Sequence, residues 1–203
     1  MKLYIMPGAC SLATHILLRE AGVAFDIEKV GRDKKTESGA DFMAINPKGY
    51  VPALKMDDGD VLTENVVVHG YVASLNPGAK LAPAPGTKER LKQDELAVFI
   101  STEIHKTYSA LFTGYPEEVK AQVREKLAKR YELIEKLLSD GRPYLTGQNF
   151  TTPDSYLFTV SRWADKTGVD LSKFQNVLAF QKRVGERPAV QAALEAEGLN
   201  KAA

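Results

Sequence analysis

The chain has 203 residues, enough for one or two domains with a sizeable core. Its 27 Lys and Arg against 26 Asp and Glu leave a net charge of +1, so no long-range field is expected to recruit nucleic acid or an anionic membrane. One cysteine excludes an intrachain disulfide, a paired-cysteine redox motif and a Cys-rich zinc site. Three scattered histidines (His15, His69 and His105) do not resemble a metal set, so no metal is expected. With neither a span-length apolar run nor a signal-peptide core, the expected compartment is the cytoplasm.

Lys2-Leu3-Tyr4-Ile5-Met6 reads as a short buried strand, broken by Pro7-Gly8-Ala9. Residues 11–22 read as a helix with Leu12, Ala13, Ile16, Leu17 and Ala21 on one face. A second strand follows over 25–30, then a polar loop over 31–39. A short helix over 41–45 is stopped by Asn46-Pro47, because the residue before proline is pushed out of the helical region. Residues 51–56 read as a strand entered through Pro52. The turn Asp57-Asp58-Gly59-Asp60 lets Val61-Leu62-Thr63 pair back as a hairpin. In 64–75 the run Val66-Val67-Val68 favours strand, but either Val67, Tyr71 and Ser74 or Val68, Val72 and Leu75 fit a helical face. A helix is expected, because a strand there would run too long.

The order βαβ-α-ββα predicts an α/β, thioredoxin-like N-terminal domain over residues 1–77. Prolines and glycines from Asn76-Pro77-Gly78 to Pro85-Gly86 predict a linker over 78–86. Strand signals then vanish, and 87–203 reads as an all-helical domain. Its helices are expected over 87–112, 116–139, from Thr151, and roughly over 174–184 and 189–197. Thr151 with Asp154 three residues on is a capping pair, with Pro153 in the first turn.

Cys10 stands where the first strand turns into a helix. Unpaired N–H groups and the positive end of the helix dipole favour thiolate there; the plainer alternative is a buried cysteine acting as a small hydrophobe. In a thioredoxin-like domain the Val51-Pro52 bond would be cis and beside Cys10, with the Val51 backbone open to an extended peptide; an ordinary trans proline is equally open. Thr63-Glu64-Asn65 opens the third helix, where free N–H groups suit a carboxylate and Glu64 suits an ammonium. Taken alone, plain capping by Thr63 or Asn65 accounts for that stretch better. His105 and Lys106 fall mid-helix and, alone, read as a surface histidine beside a solvated lysine. Lys34-Lys35 read as a solvated loop. Together these groups describe a ligand with a thiol, an extended backbone, an amino-acid terminus and a distal carboxylate, which glutathione satisfies.

The chain resembles the bacterial β-class glutathione S-transferases over nearly its whole length. The resemblance is carried by Met1-Lys2-Leu3-Tyr4, Pro7-Gly8-Ala9-Cys10-Ser11-Leu12, Lys34-Lys35-Thr36, Asn46-Pro47-Lys48-Gly49-Tyr50-Val51-Pro52-Ala53-Leu54 and Leu62-Thr63-Glu64. His105-Lys106, Tyr108-Ser109, Leu111-Phe112 and Asp154 with Tyr156-Leu157-Phe158 extend it. It implies a thioredoxin-like domain followed by an all-α domain, a homodimer, and glutathione as cosubstrate. It assigns Cys10 to the ligand's thiol end, Val51 and Pro52 to its backbone, and Glu64 and Asn65 to its γ-glutamyl end. Lys34 and His105 line the site, Lys106 lies nearby, and Thr102, Glu103 and Ile104 fall in the binding stretch ending at His105. Three positions depart from the family pattern: Asn65 stands where serine or glycine is usual, Val98 replaces a helix asparagine, and Ile5 replaces a tyrosine.

The activity this implies is attack of the glutathione thiolate on a hydrophobic electrophile, with Ser11 or His105 as candidate donors to the sulfur. The electrophile pocket is expected around Tyr108, Phe112 and Trp163. The alternatives are thiol–disulfide exchange through a Cys10 mixed disulfide, and a non-catalytic protein that binds glutathione and apolar ligands.

Overall fold

Leu3, Tyr4 and Ile5 make β1 (Lys2–Ile5) a strand buried on both faces, which places it inside the sheet rather than at its edge. The sheet has the order β2-β1-β3-β4. β2 (Asp26–Lys29) runs parallel to β1, with Leu3 opposite Ile27; β3 (Ala53–Lys55) runs antiparallel to it, with Leu3 opposite Leu54. β4 (Val61–Thr63) closes the hairpin with β3. The parallel pair needs a crossover, and α1 (Ser11–Glu20) supplies it, burying Leu12, Ala13, Ile16 and Leu17 completely. The βαβ-α-ββα order is therefore observed, with α2 (Phe42–Ile45) capped by the Asp41 carboxylate and α3 (Asn65–Leu75) after the hairpin. In α3 helical spacing prevails over β-branched propensity: Val68 and Val72 are fully buried while Val67 is exposed.

The structure, a computed structural model, describes residues 1–200 and divides into two units, Met1–Leu81 with the segment from Pro188 onward, and Ala82–Arg187. This corrects the expected grouping of 87–203. The last helix, α10 (Pro188–Ala196), packs with α1, and the cause is a set of contacts that local sequence does not announce. Glu197 is buried beyond it. One carboxylate oxygen accepts from Gly8 N (2.9 Å) and the other stands 2.9 Å from His15 Nδ1. Arg19 Nε donates to His15 Nε2 (2.9 Å), which leaves Nδ1–H to donate to Glu197.

In the second unit α4 (Lys88–Phe99) begins on a Thr87 cap, whose hydroxyl accepts from Arg90 N (3.2 Å). The expected single helix over 87–112 is not regular. A π-helical stretch, Ile100–His105, precedes a short α5 (Lys106–Tyr108) and a 3₁₀ turn, Ser109–Phe112. α6 (Glu117–Leu138) buries Leu127, Tyr131, Ile134 and Leu138, while Val119, near its start, is exposed. α7 (Thr152–Ser161) carries the expected capping box, with Asp154 accepting from Thr151 N and Oγ1 at 2.8 Å. α8 (Ala164–Thr167) and α9 (Gln175–Gly185) complete the unit.

Candidate active site

Met6-Pro7-Gly8-Ala9 forms a tight turn closed by Ala9 N on Met6 O (2.9 Å), with proline at its second position and Gly8 at φ +73° at its third. That is the pattern of a type II turn, which demands the positive φ that glycine adopts freely. The turn delivers Cys10 as the N-cap of α1, in right-handed helical geometry. Its thiol does not point away as a nucleophile: Sγ donates to Val51 O at 3.1 Å. Burial pushes this thiol up to about 11, against the downward pull of the Asn65 side-chain amide and the local N–H groups. The expectation that the helix dipole favours thiolate is therefore corrected; loss of water outweighs the dipole.

The Val51-Pro52 bond is cis, and Pro52 is buried. Asn46 holds the approach to it: its amide donates to Tyr50 O (2.7 Å) and its side-chain oxygen accepts from Lys48 N (3.2 Å). Val51 N has no hydrogen bond among the described residues, whereas Val51 O is engaged by Cys10. The expectation of two open groups thus holds for the N–H alone.

At α3 the N-cap is Glu64, at φ 68°, and no side chain caps the helix, so neither Thr63 nor Asn65 takes that role. The N–H groups of Asn65, Val66 and Val67 find no acceptor among the described residues. Asn65 is buried and its Oδ1 has no partner among the described residues. Glu64 is exposed and accepts from Lys48 Nζ (2.9 Å), which also donates to Thr63 Oγ1 (2.9 Å). Lys48 was not singled out in the sequence. Its signal was its place in the Asn46-Pro47-Lys48-Gly49 turn. Lys34, at φ 63°, donates to Gly49 O (2.8 Å), close in sequence to Val51.

The Ser11 expectation fails as stated. Its hydroxyl is fully buried, accepts from Met6 N (3.2 Å) and lies 3.4 Å from Met6 O, so it anchors the turn rather than facing a ligand.

In the second unit the stretch before His105 separates by direction. Ile104 is fully buried in the core. Glu103 is taken by Arg130, whose Nε and Nη2 lie 2.8 and 2.7 Å from Oε2. Thr102 Oγ1 donates back to Val98 O (3.0 Å). None of these three side chains is free to serve as a ligand group, and only His105 of the stretch sits in a polar–aromatic setting. Lys106 is exposed.

His105 is not a surface histidine. Nδ1 lies 2.6 Å from the hydroxyl of the buried Tyr156, and the Trp163 ring stands 5.2 Å away, centroid to centroid, at 62°. Trp163 in turn meets Tyr108 (5.6 Å, 87°) and Phe112 (5.5 Å, 84°) edge-on. Tyr108, Phe112 and Trp163, expected to share a pocket, do come together. Burial, then the Lys106 charge, lower the His105 imidazole to about 4, so the ring is neutral at pH 7. Regular α-helical spacing put His105 beside the apolar stripe; the π-helical stretch rephases the face. Tyr156 belongs to the Tyr156-Leu157-Phe158 motif of the resemblance, but across 51 positions nothing in the sequence tied it to His105.

Among the described residues no group of three or more His, Cys, Asp and Glu is placed to hold a metal, and no helix is long and apolar enough to cross a membrane.

Residues 8–75 match the model of the glutathione S-transferase N-terminal domain, and residues 94–188 that of the glutathione S-transferase C-terminal domain. The chain is 45% identical to the glutathione S-transferase GstA of Escherichia coli O157:H7, over 98% of this chain and 100% of that one. A β-class glutathione S-transferase of Sphingomonas chungbukensis has a similar structure, with a TM-score of 0.94 and 43% identity over 98% and 100% of the two chains. A sphingomonad glutathione S-transferase complexed with glutathione is equally similar, with a TM-score of 0.94 and 41% identity over the same shares.

Proposed function

The chain belongs to the glutathione S-transferase family, and we propose that it conjugates glutathione to hydrophobic electrophiles in the bacterial cytoplasm, as a homodimer. The observation that carries this reading is the set of unspent groups in the first unit. Val51 N and the first three N–H groups of α3 have no acceptor among the described residues. An unpaired backbone N–H at a strand entry can pair with an extended peptide and open N–H groups at a helix N-terminus suit a carboxylate, so such a set is suited to a polar, extended ligand.

In this reading the cysteinyl unit of glutathione pairs with Val51, beside Pro52. Its γ-glutamyl carboxylate meets the α3 N-terminus at Asn65, its ammonium meets Glu64, and Lys34 serves the distal carboxylate. Cys10 marks where the ligand's sulfur lies. The ligand thiol gives up its proton to solvent, and its thiolate forms a carbon–sulfur bond while halide leaves, or adds to an activated alkene whose resulting carbanion takes a proton from solvent. His105 is the candidate donor to sulfur, with Lys106 nearby; Ser11 is withdrawn from that role. The aromatic group of Tyr108, Phe112 and Trp163 suits an apolar electrophile.

Cys10 held as a thiol argues against disulfide exchange as the main activity, because the thiolate is the attacking species. The reading is tested by steady-state turnover of a chromogenic aryl halide with glutathione. Saturable turnover in both substrates is the expected result. No turnover across a panel of electrophiles, together with tight binding of apolar dyes, would favour the non-catalytic binder instead.

A further inference from the structure

Tyr156 hydroxyl stands 2.6 Å from His105 Nδ1, joining α7 to the end of the π-helical stretch within the second unit. We propose that Tyr156 is a positioning residue that donates its O–H to His105 Nδ1 and so fixes the imidazole as the tautomer carrying its proton on Nε2. The ring then offers an N–H donor from that edge. The use of this donor in catalysis rests on the glutathione reading; the tautomer itself does not.

The direction of the bond follows from its length and from acidity. N–H···O bonds occupy roughly 2.7–3.2 Å, whereas hydroxyl donors reach shorter distances. A separation of 2.6 Å therefore fits a phenol O–H donating to nitrogen better than an imidazole N–H donating to oxygen. A phenol is also a far stronger acid than a neutral imidazole N–H, and an imidazole nitrogen is a far stronger base than a phenol oxygen. Both considerations put the shared proton on Tyr156 and leave Nδ1 as acceptor.

The tautomer matters because the ring is neutral. One nitrogen then donates and the other accepts, and the partner of Nδ1 decides which. Rotation of the ring is opposed on two sides. Tyr156 meets it edge-on at 5.7 Å and 78°, and Trp163 at 5.2 Å and 62°. Tyr156 is itself held rigidly, 1% exposed on a helix whose first turn is locked by the Thr151–Asp154 box two residues earlier. The ring as a whole is half-buried, and Nε2 has no hydrogen bond among the described residues. A donor held in one orientation needs no reorganisation when charge develops on the atom it serves.

The test is long-range proton–nitrogen correlation NMR of the three imidazoles in the full chain, at neutral pH, with Tyr156→Phe beside the unaltered protein. The unaltered protein is expected to show His105 as the Nε2–H tautomer. Tyr156→Phe is expected to give a mixture of tautomers at His105 while the His15 and His69 signals stay in place. In aryl halide turnover the same variant should lose about tenfold in kcat with KM for glutathione within twofold. In a His105→Ala background, Tyr156→Phe should cost nothing further. An Nδ1–H tautomer at His105 in the unaltered protein, or an unchanged His105 signal in Tyr156→Phe, overturns the proposal without reference to any variant's activity or fold. A shifted tautomer with unchanged kcat overturns the catalytic half. If no electrophile turns over at all, the glutathione reading fails while the tautomer result still stands on its own.

Discussion

The N-termini of α1 and α3 lie in the same unit and present opposite electrostatic outcomes. At α1 the residue on the cap is Cys10, whose thiol is enclosed, donates to the Val51 carbonyl and is pushed up to about 11. At α3 the residue on the cap is Glu64, which is exposed and carries its carboxylate against the Lys48 ammonium, with three N–H groups behind it that have no acceptor among the described residues. A helix dipole contributes about 0.3–1 kcal/mol to a favourable charge at an exposed end and up to ~2 kcal/mol in partly buried geometry. Taking a charge out of water costs several kcal/mol. The dipole therefore decides nothing at α1, where desolvation is larger, and adds to an already solvated charge at α3. The two termini therefore differ in what they hold: a neutral thiol at α1 and a solvated charge at α3.

The comparison breaks most clearly at Cys10. Its alkylation by iodoacetamide, followed by intact mass on a chain with one cysteine, should rise about tenfold per pH unit from pH 7 to 10. At pH 7, about four units below a pKa near 11, the rate should stand about ten-thousandfold under its plateau. The sign is fixed by the cause: burial disfavours the anion, so reactivity grows only as pH climbs toward the raised pKa. A plateau already reached at pH 7 to 8 would return the dipole to control. The second largest effect belongs to Glu64. A charge-assisted hydrogen bond to an ammonium is worth about 1.5–3 kcal/mol, so Glu64→Gln should raise KM for glutathione by about tenfold to a hundredfold, with kcat changed less than threefold. Unchanged KM would mean that Glu64 serves Lys48 alone.

What the sequence made legible was whatever is written in local spacing. β1 and α1 follow from one apolar run and one apolar face; α7 starts where Thr151, Pro153 and Asp154 say it starts. The proline-entered strand and the helix after the hairpin were equally local. The features that escaped reading depend on distance along the chain or on an irregular helix. Glu197 meets Gly8 across 189 positions, so nothing near either residue announces that the last helix joins the first unit. The π-helical stretch turns His105 toward Tyr156 and Trp163, and α-helical counting cannot produce that face. Ser11 was placed correctly in the chain and wrongly in function, because its hydroxyl turns back to the Met6 backbone instead of toward the sulfur. Lys48 escaped for a third reason: a lysine in a turn looks solvated until the partner strand brings Thr63 and Glu64 to it.

Asn65 links the two termini and carries the smallest expected effect. It opens α3, is buried, has an unpartnered Oδ1, and its side-chain amide pulls the Cys10 thiol downward against burial. In Asn65→Ser the side chain loses both the amide donor that reaches the sulfur and the orphan acceptor. Alkylation of Cys10 at fixed pH should then slow by about twofold to threefold, since one group favouring thiolate is gone. The shorter hydroxyl leaves the α3 N–H groups more open to a carboxylate, so KM for glutathione should fall by about threefold, within what a single neutral hydrogen bond contributes. The two readings separate the roles. Slower alkylation with unchanged KM would assign Asn65 to Cys10 alone and leave carboxylate binding to the backbone. A raised KM would show that Oδ1 accepts a hydrogen bond from glutathione, and that the unpartnered atom is a recognition group rather than a cost of the substitution.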